Sequence, residues 1–170
     1  MYAHNFNPEV LQQLVKLKSI NLCSNSVGQV MVDLMCNPPL EGVSDATRDL
    51  YRQEYASLFN SLKIRAHSVT NALRSMKNIE TNEVEGAMYA FPSVKFSKKA
   101  IEAAGKQSVD LFYCLEVLKN TGIALVPGSG FRQREGSYHF RITTLILPEE
   151  KLKDKLEALK RFNDEFHSRY

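Results

Sequence analysis

Cysteine, histidine, long apolar runs and an excess of one charge are all lacking here, and each lack removes a class of function. The three cysteines in 170 residues, Cys23, Cys36 and Cys114, are odd in number. Their spacing fits neither a disulfide framework nor a zinc site, so a reducing compartment is expected. The four histidines, His4, His67, His139 and His167, are scattered without paired ligand spacing, and no metal is expected. No apolar run approaches the roughly 18 residues of a membrane helix. The start, MYAHNFNPEV, has no basic region followed by an apolar one, so it reads as neither signal peptide nor anchor. The net charge of +3 comes from interleaved acidic and basic residues, which leaves no electrostatic footprint for nucleic acid. There is no internal repeat and no low-complexity segment.

What is present suits a soluble globular body of ordinary domain size, with 44% apolar and 24% charged residues to build a core and a surface. Asn7-Pro8-Glu9 is a compact helix start leading to about Ile20. Ser26 and Gln29 form a capping pair ahead of Val30, Met31, Leu34 and Met35, and Asn37-Pro38-Pro39 stops that helix. From Asp45 to Met76 the apolar positions Tyr51, Tyr55, Leu58, Leu62, Val69, Leu73 and Met76 recur at helical steps with no Pro or Gly between. A run of about 30 helical residues spans about 45 Å, a length that bridges bodies.

Beyond residue 77 the pattern changes. Asn78–Thr81 and Ala87–Phe91 read as strands, with Pro92 ending the second or placing it at an edge. Residues 97–105 read as a short helix. Asp110 is expected to cap a helix carrying Leu111, Phe112, Leu115 and Leu118 and closing at Gly122. Strands follow over 123–126 and within 137–145, and a last helix presents Leu152, Leu156, Leu159, Phe162 and Phe166 on one face. The fold class is α/β, an α+β sandwich. A small mixed sheet is covered by helices on one side, preceded by N-terminal helices and the long helix.

Arg141 is the residue that points to chemistry. It stands among Phe140, Ile142, Leu145 and Ile146, and a guanidinium taken out of water needs a carboxylate or phosphate for its five donors. The apolar run GIALVPGSGF before it breaks into a glycine-rich turn, so the two together suggest an anion site. The alternative is a strand arginine with a buried stem and a head reaching solvent or a structural carboxylate, beside an ordinary turn at 127–131. A rigid turn there could also set the register of the next strand and aim Arg141. Tyr89 and Phe91 read as core. His139 shares the face of Arg141 by alternation, and Cys114 reads as inert packing.

The segments NLCSNSVGQ (21–29), EGAMYAFP (85–92), DLFYCLEVLKNTGIALVPGSGF (110–131) and QREGSYHFRITTLILP (133–148), with the terminal amphipathic helix, resemble the C-terminal part of the alanine aminotransferases. These are pyridoxal-phosphate enzymes of fold type I, and the resemblance covers essentially the whole chain. It implies three parts: residues 1–43 as a helical remnant of the large cofactor-binding domain, 44–77 as the connecting helix, and 78–170 as the small domain. It places Arg141 on the arginine that grips the substrate α-carboxylate. It puts the loop 21–25, with Ser24 and Asn25, at a homodimer interface near the neighbouring active site.

The implied reaction passes an amino group from L-alanine to 2-oxoglutarate, giving pyruvate and L-glutamate, with pyridoxal 5'-phosphate as cofactor and the cytoplasm or mitochondrion as compartment. One departure stands out. The family's Schiff-base lysine, the aspartate that pairs with the pyridine nitrogen and most phosphate-binding groups lie upstream of the resembling part. Lys16 and Lys18 fall outside any matching motif. The chain alone is therefore expected to be inactive, and the other reading is a non-catalytic carboxylate-binding or dimerisation module.

Overall fold

The computed structural model describes residues 4–20 and 22–170. The chain divides into two compact units, Met1–Tyr51 and Arg52–Tyr170.

In the first unit, α1 (Pro8–Ile20) starts at Asn7, whose side-chain oxygen accepts the Glu9 amide at 2.8 Å. Helix α2 (Ser26–Cys36) is capped one residue earlier than the Ser26–Gln29 pair predicts. Asn25 holds an extended backbone and its Oδ1 accepts the Gly28 amide at 3.1 Å, so asparagine takes the orphan donor that serine was expected to take. No residue of either helix is buried. Helix α3 (Asp45–Arg74) follows, with Ser44 Oγ accepting the Thr47 amide at 3.2 Å. The division between the units falls within it, and its buried residues, Arg65, Val69, Thr70 and Leu73, all lie in the second unit.

The second unit runs β1 (Ile79–Glu80), β2 (Tyr89–Ala90), β3 (Ser93–Val94), α4 (Lys98–Ala104), α5 (Val109–Thr121), β4 (Val126–Pro127), a 3-10 turn (Gly128–Phe131), β5 (Phe140–Thr143) and α6 (Glu149–Arg169). All the named strand pairings are antiparallel, β1 with β3 and β5 between β2 and β4. The strand expected at 87–91 is shorter, Tyr89–Ala90, and ends before Pro92 as expected; beyond Pro92 the chain forms β3, a strand the sequence did not signal, and passes from the ladder with β5 to the ladder with β1. The Pro92 carbonyl accepts the Phe140 amide at 3.3 Å and the Val94 amide donates to Tyr138 at 2.8 Å, which keeps the break bonded.

The core is aromatic and polarised toward α5 and α6. Tyr113 is fully buried and stacks on Phe140 (centroids 5.9 Å), meets Phe166 edge-on (5.0 Å) and tilts against Phe96 and Phe162. Such ring pairs contribute about 0.5–1.5 kcal/mol each beyond the area they bury. The phenol donates to Asn163 Oδ1 at 3.0 Å and the Asn163 amide donates to the Lys77 carbonyl at 3.0 Å. Asn163 thus joins α5, α6 and the end of α3 through satisfied polar groups inside an apolar core. No helix among the described residues is long and apolar enough to cross a membrane.

Candidate functional site

Strand β5 alternates strictly. Phe140 and Ile142 are buried, while Arg141 and Thr143 on the other face are half-buried. Its register pairs Val126 with Arg141 on one side and Tyr89 with Thr143 on the other. Tyr89 is therefore the diagonal neighbour of Arg141, within reach of a long side chain on the same face. The guanidinium carbon lies 4.4 Å from the Tyr89 ring centroid and 5.3 Å from that of Phe131, which ends the 3-10 turn. Aromatic faces attract a cation by about 0.5–2 kcal/mol, depending on how dry the site is. They leave its N–H fork unspent, since a ring takes charge but few hydrogen bonds.

Among the described residues Arg141 forms no ion pair, whereas others such as Arg48 with Asp45, Lys95 with Glu80 and Lys119 with Glu116 do. Two expectations are corrected here. Arg141 is half-buried, so water reaches it and it needs no internal carboxylate. Tyr89 and Phe91 are exposed side chains, because the β2–β5 register turns Ala90 to the core instead. They line the same face as Arg141.

The turn that presents Phe131 is held from behind. Asp110 is 1% exposed and does not cap α5; the N-cap is Ser108. The Asp110 carboxylate accepts the Ser108 hydroxyl, the Ser129 amide at 2.6 Å and Gln133 Nε2 at 3.0 Å. Burial alone would push its pKa up, but the hydrogen bonds from Ser108, Ser129 and the Leu111 amide outweigh burial and hold the carboxyl below its ordinary 3.8, so it is an anion at neutral pH. Gln133 Oε1 meets His139 Nδ1 at 3.0 Å, and the His139 ring stacks on Phe91 with centroids 5.0 Å apart. Phe91 then meets Phe131 edge-on at 5.4 Å.

Gly128 lies beside this contact and its amide donates to the His139 carbonyl at 2.8 Å. A Cβ there would collide with Gln133 Oε1 and lie 2.9 Å from the His139 carbonyl oxygen. Glycine is therefore required by close approach rather than by its φ. Neither Gln133 nor the inward role of Asp110 is evident from sequence. The available signal is Ser108, a second capping residue two positions upstream that frees the aspartate for other work.

Ser24 is exposed, and Asn25 is engaged as the α2 cap; both belong to the first unit, and Asn21 of the same loop lies outside the described residues. Lys16 and Lys18 are exposed on α1. Cys114 is buried in α5, and burial, with Asp110 nearby, pushes its thiol up to about 12, which leaves it inert at neutral pH.

No family model matches the chain. It is 40% identical over its whole length to a probable mitochondrial alanine aminotransferase of Dictyostelium discoideum, covering 32% of that protein. It is 42% identical over 98% of its length to glutamate–glyoxylate aminotransferase 2 of Arabidopsis thaliana, covering 34% of it. The chain thus spans about a third of the length of the curated relatives it matches. Among solved structures, an alanine aminotransferase of Pyrococcus furiosus superposes with a TM-score of 0.66 at 28% identity, over 95% of this chain and 36% of that one.

Proposed function

We infer, from the premise that the chain belongs to the alanine aminotransferase family, that it is the C-terminal segment of a pyridoxal-phosphate-dependent enzyme and supplies the grip on the substrate α-carboxylate. The reaction assigned is L-alanine with 2-oxoglutarate to pyruvate and L-glutamate. The observation that carries the assignment is Arg141, a cation steadied on Tyr89 and Phe131 with no ion pair among the described residues. A guanidinium so held takes a carboxylate bidentately and fixes the rotation of the amino acid about its α-carbon. Alanine, pyruvate, glutamate and 2-oxoglutarate all carry that carboxylate, so one residue serves both halves of the exchange.

Pyridoxal phosphate, when bound, supplies the electron sink for the carbon bearing the amino group. The residues described here fit the substrate rather than that cofactor: Arg141 rests on aromatic rings, while Lys16 and Lys18 sit exposed on α1 in the other unit. The segment alone is accordingly read as inactive, its covalent attachment point lying elsewhere in the complete enzyme. In that enzyme residues 1–43 belong to the large domain, 44–77 connect, and 78–170 form the small domain. Ser24 and Asn25 lie near the partner's site in a homodimer.

Arg141→Lys in the full-length enzyme is the test. Losing a bidentate pair for a point charge should lower kcat/KM for alanine by about a hundredfold. An unchanged kcat/KM removes Arg141 from the site. Incubating the 170-residue chain with pyridoxal phosphate checks the second claim, since labelling of one unique lysine would show that the segment holds an attachment point after all.

A further inference from the structure

We propose that Asp110 and Gln133 are positioning residues for Arg141, acting through a relay that runs Asp110, Gln133, His139, Phe91, Phe131; the proposal rests on the reading of Arg141 as the carboxylate grip. The direction of the relay follows from donor chemistry. An ionised carboxylate only accepts, so the group of Gln133 lying 3.0 Å from Asp110 Oδ2 is the amide nitrogen, as a flipped amide would set oxygen against oxygen. With its nitrogen committed, Gln133 presents Oε1 to His139 Nδ1 at 3.0 Å. The imidazole must then carry its proton on Nδ1. One buried anion thus dictates an amide orientation and a tautomer.

The consequence reaches Arg141 through packing. His139, locked by that bond, lies parallel to Phe91, with an interplanar angle of 1°. Phe91 stands at 86° to Phe131, and Phe131 faces the guanidinium at 5.3 Å. Asp110 also takes the Ser129 amide at 2.6 Å, so the turn 128–131 is tied at its middle while Gln133 is tied beyond its end. Arg132 between them has φ +53, a conformation costly for a residue with a Cβ and kept only where its surroundings impose it. Residues 128–133 are in this way a clamped platform whose exposed product is the placement of the Phe131 ring.

A fold-only role for this network would weaken the protein without regard to which substrate is bound. A positioning role for Arg141 penalises only substrates that carry an α-carboxylate. Gln133→Met keeps length and bulk while removing both hydrogen bonds. In the full-length enzyme, single-turnover amino transfer from alanine and from ethylamine, which lacks the carboxylate, should separate the two roles. The variant should lose about tenfold toward alanine, the scale of a modest misplacement, and nothing toward ethylamine, with Arg141→Lys showing the same selectivity more strongly.

If Arg141→Lys is selective and Gln133→Met slows both amines equally or neither, the relay is wrong while the grip stands. If Arg141→Lys shows no selectivity, the grip is wrong and the relay falls with it. The tautomer gives a check that needs no variant: nitrogen-15 spectra of the wild-type enzyme should show a proton on His139 Nδ1, and an Nδ1 without one would overturn the relay.

Discussion

Helices α1 and α2 carry apolar residues at helical spacing as α6 does, yet none of theirs is buried while six residues of α6 are. Local rules are obeyed in both units: Asn25 caps α2 and Glu9 sits in the first turn of α1, while α6 follows Pro148 and opens with Glu149 and Glu150. Amphipathicity is written within one helix, whereas burial needs partners from distant sequence, and α6 finds them in α5 and Phe96. Leu17 at 66% exposure and Phe140 at 0% show the contrast.

The largest contrast should come from truncating those two residues. Phe140→Ala should cost about 3–5 kcal/mol, from lost burial and the cavity left behind, and Leu17→Ala less than about 0.5 kcal/mol, each read from urea unfolding monitored for its own unit. Equal losses would mean that α1 has a core of its own. Thiol chemistry divides the units in the same way. Cys23 and Cys36 are exposed and Cys114 is buried with its pKa raised to about 12. Native labelling of Cys114 should be about a hundredfold or more slower than that of the other two, and comparable rates would show that the core opens readily.

A pH series sharpens the account of the second unit. His167 stacks edge-on against Phe166, and its Nε2 is buried with no hydrogen-bond partner among the described residues. Burial first, then nearby Lys77, holds its pKa below 6.5, with Asp164 opposing. A depressed histidine stabilises the fold above its unfolded value, and that contribution is lost as pH falls through the folded one. The urea midpoint should therefore drop on going from about pH 7.5 to 5.5, and His167→Phe should flatten that drop. Asp110, also depressed, contributes above 3.8 and loses its contribution only as pH falls further, so the two groups act in separate windows. The smallest effect is expected at Arg132, where glycine would relieve the positive φ and stabilise by about 0.5–1 kcal/mol; a loss of stability would mean that the Arg132 side chain makes a needed contact.

Much of this was legible in sequence. The helix bounds at Pro8 and Gly122 follow from a cap and a breaker and the start at Asp45 from helical spacing, and Arg141 is conspicuous as a charge in an apolar run. What was not legible depended on register. Whether Tyr89 or Ala90 faces the core is decided by which residue of β5 lies opposite, and alternation alone cannot choose between the two faces. Strand β3 escaped the sequence for the same reason, since it exists by pairing with Ile79 and Glu80 and not by any pattern of its own. Asp110 read as a cap because first-turn aspartates are common; only the approach of residues 129 and 133, far along the chain, gives its carboxylate inward donors.

The role of Arg141 turns on what its guanidinium fork receives. A crystal structure of the full-length enzyme with 2-oxoglutarate or alanine bound measures this directly. The prediction is a bidentate pair, with two nitrogens of Arg141 each about 2.7–2.9 Å from the two α-carboxylate oxygens while the guanidinium keeps its place against Tyr89 and Phe131. An α-carboxylate seated on a different cation, with Arg141 left to water, would contradict it.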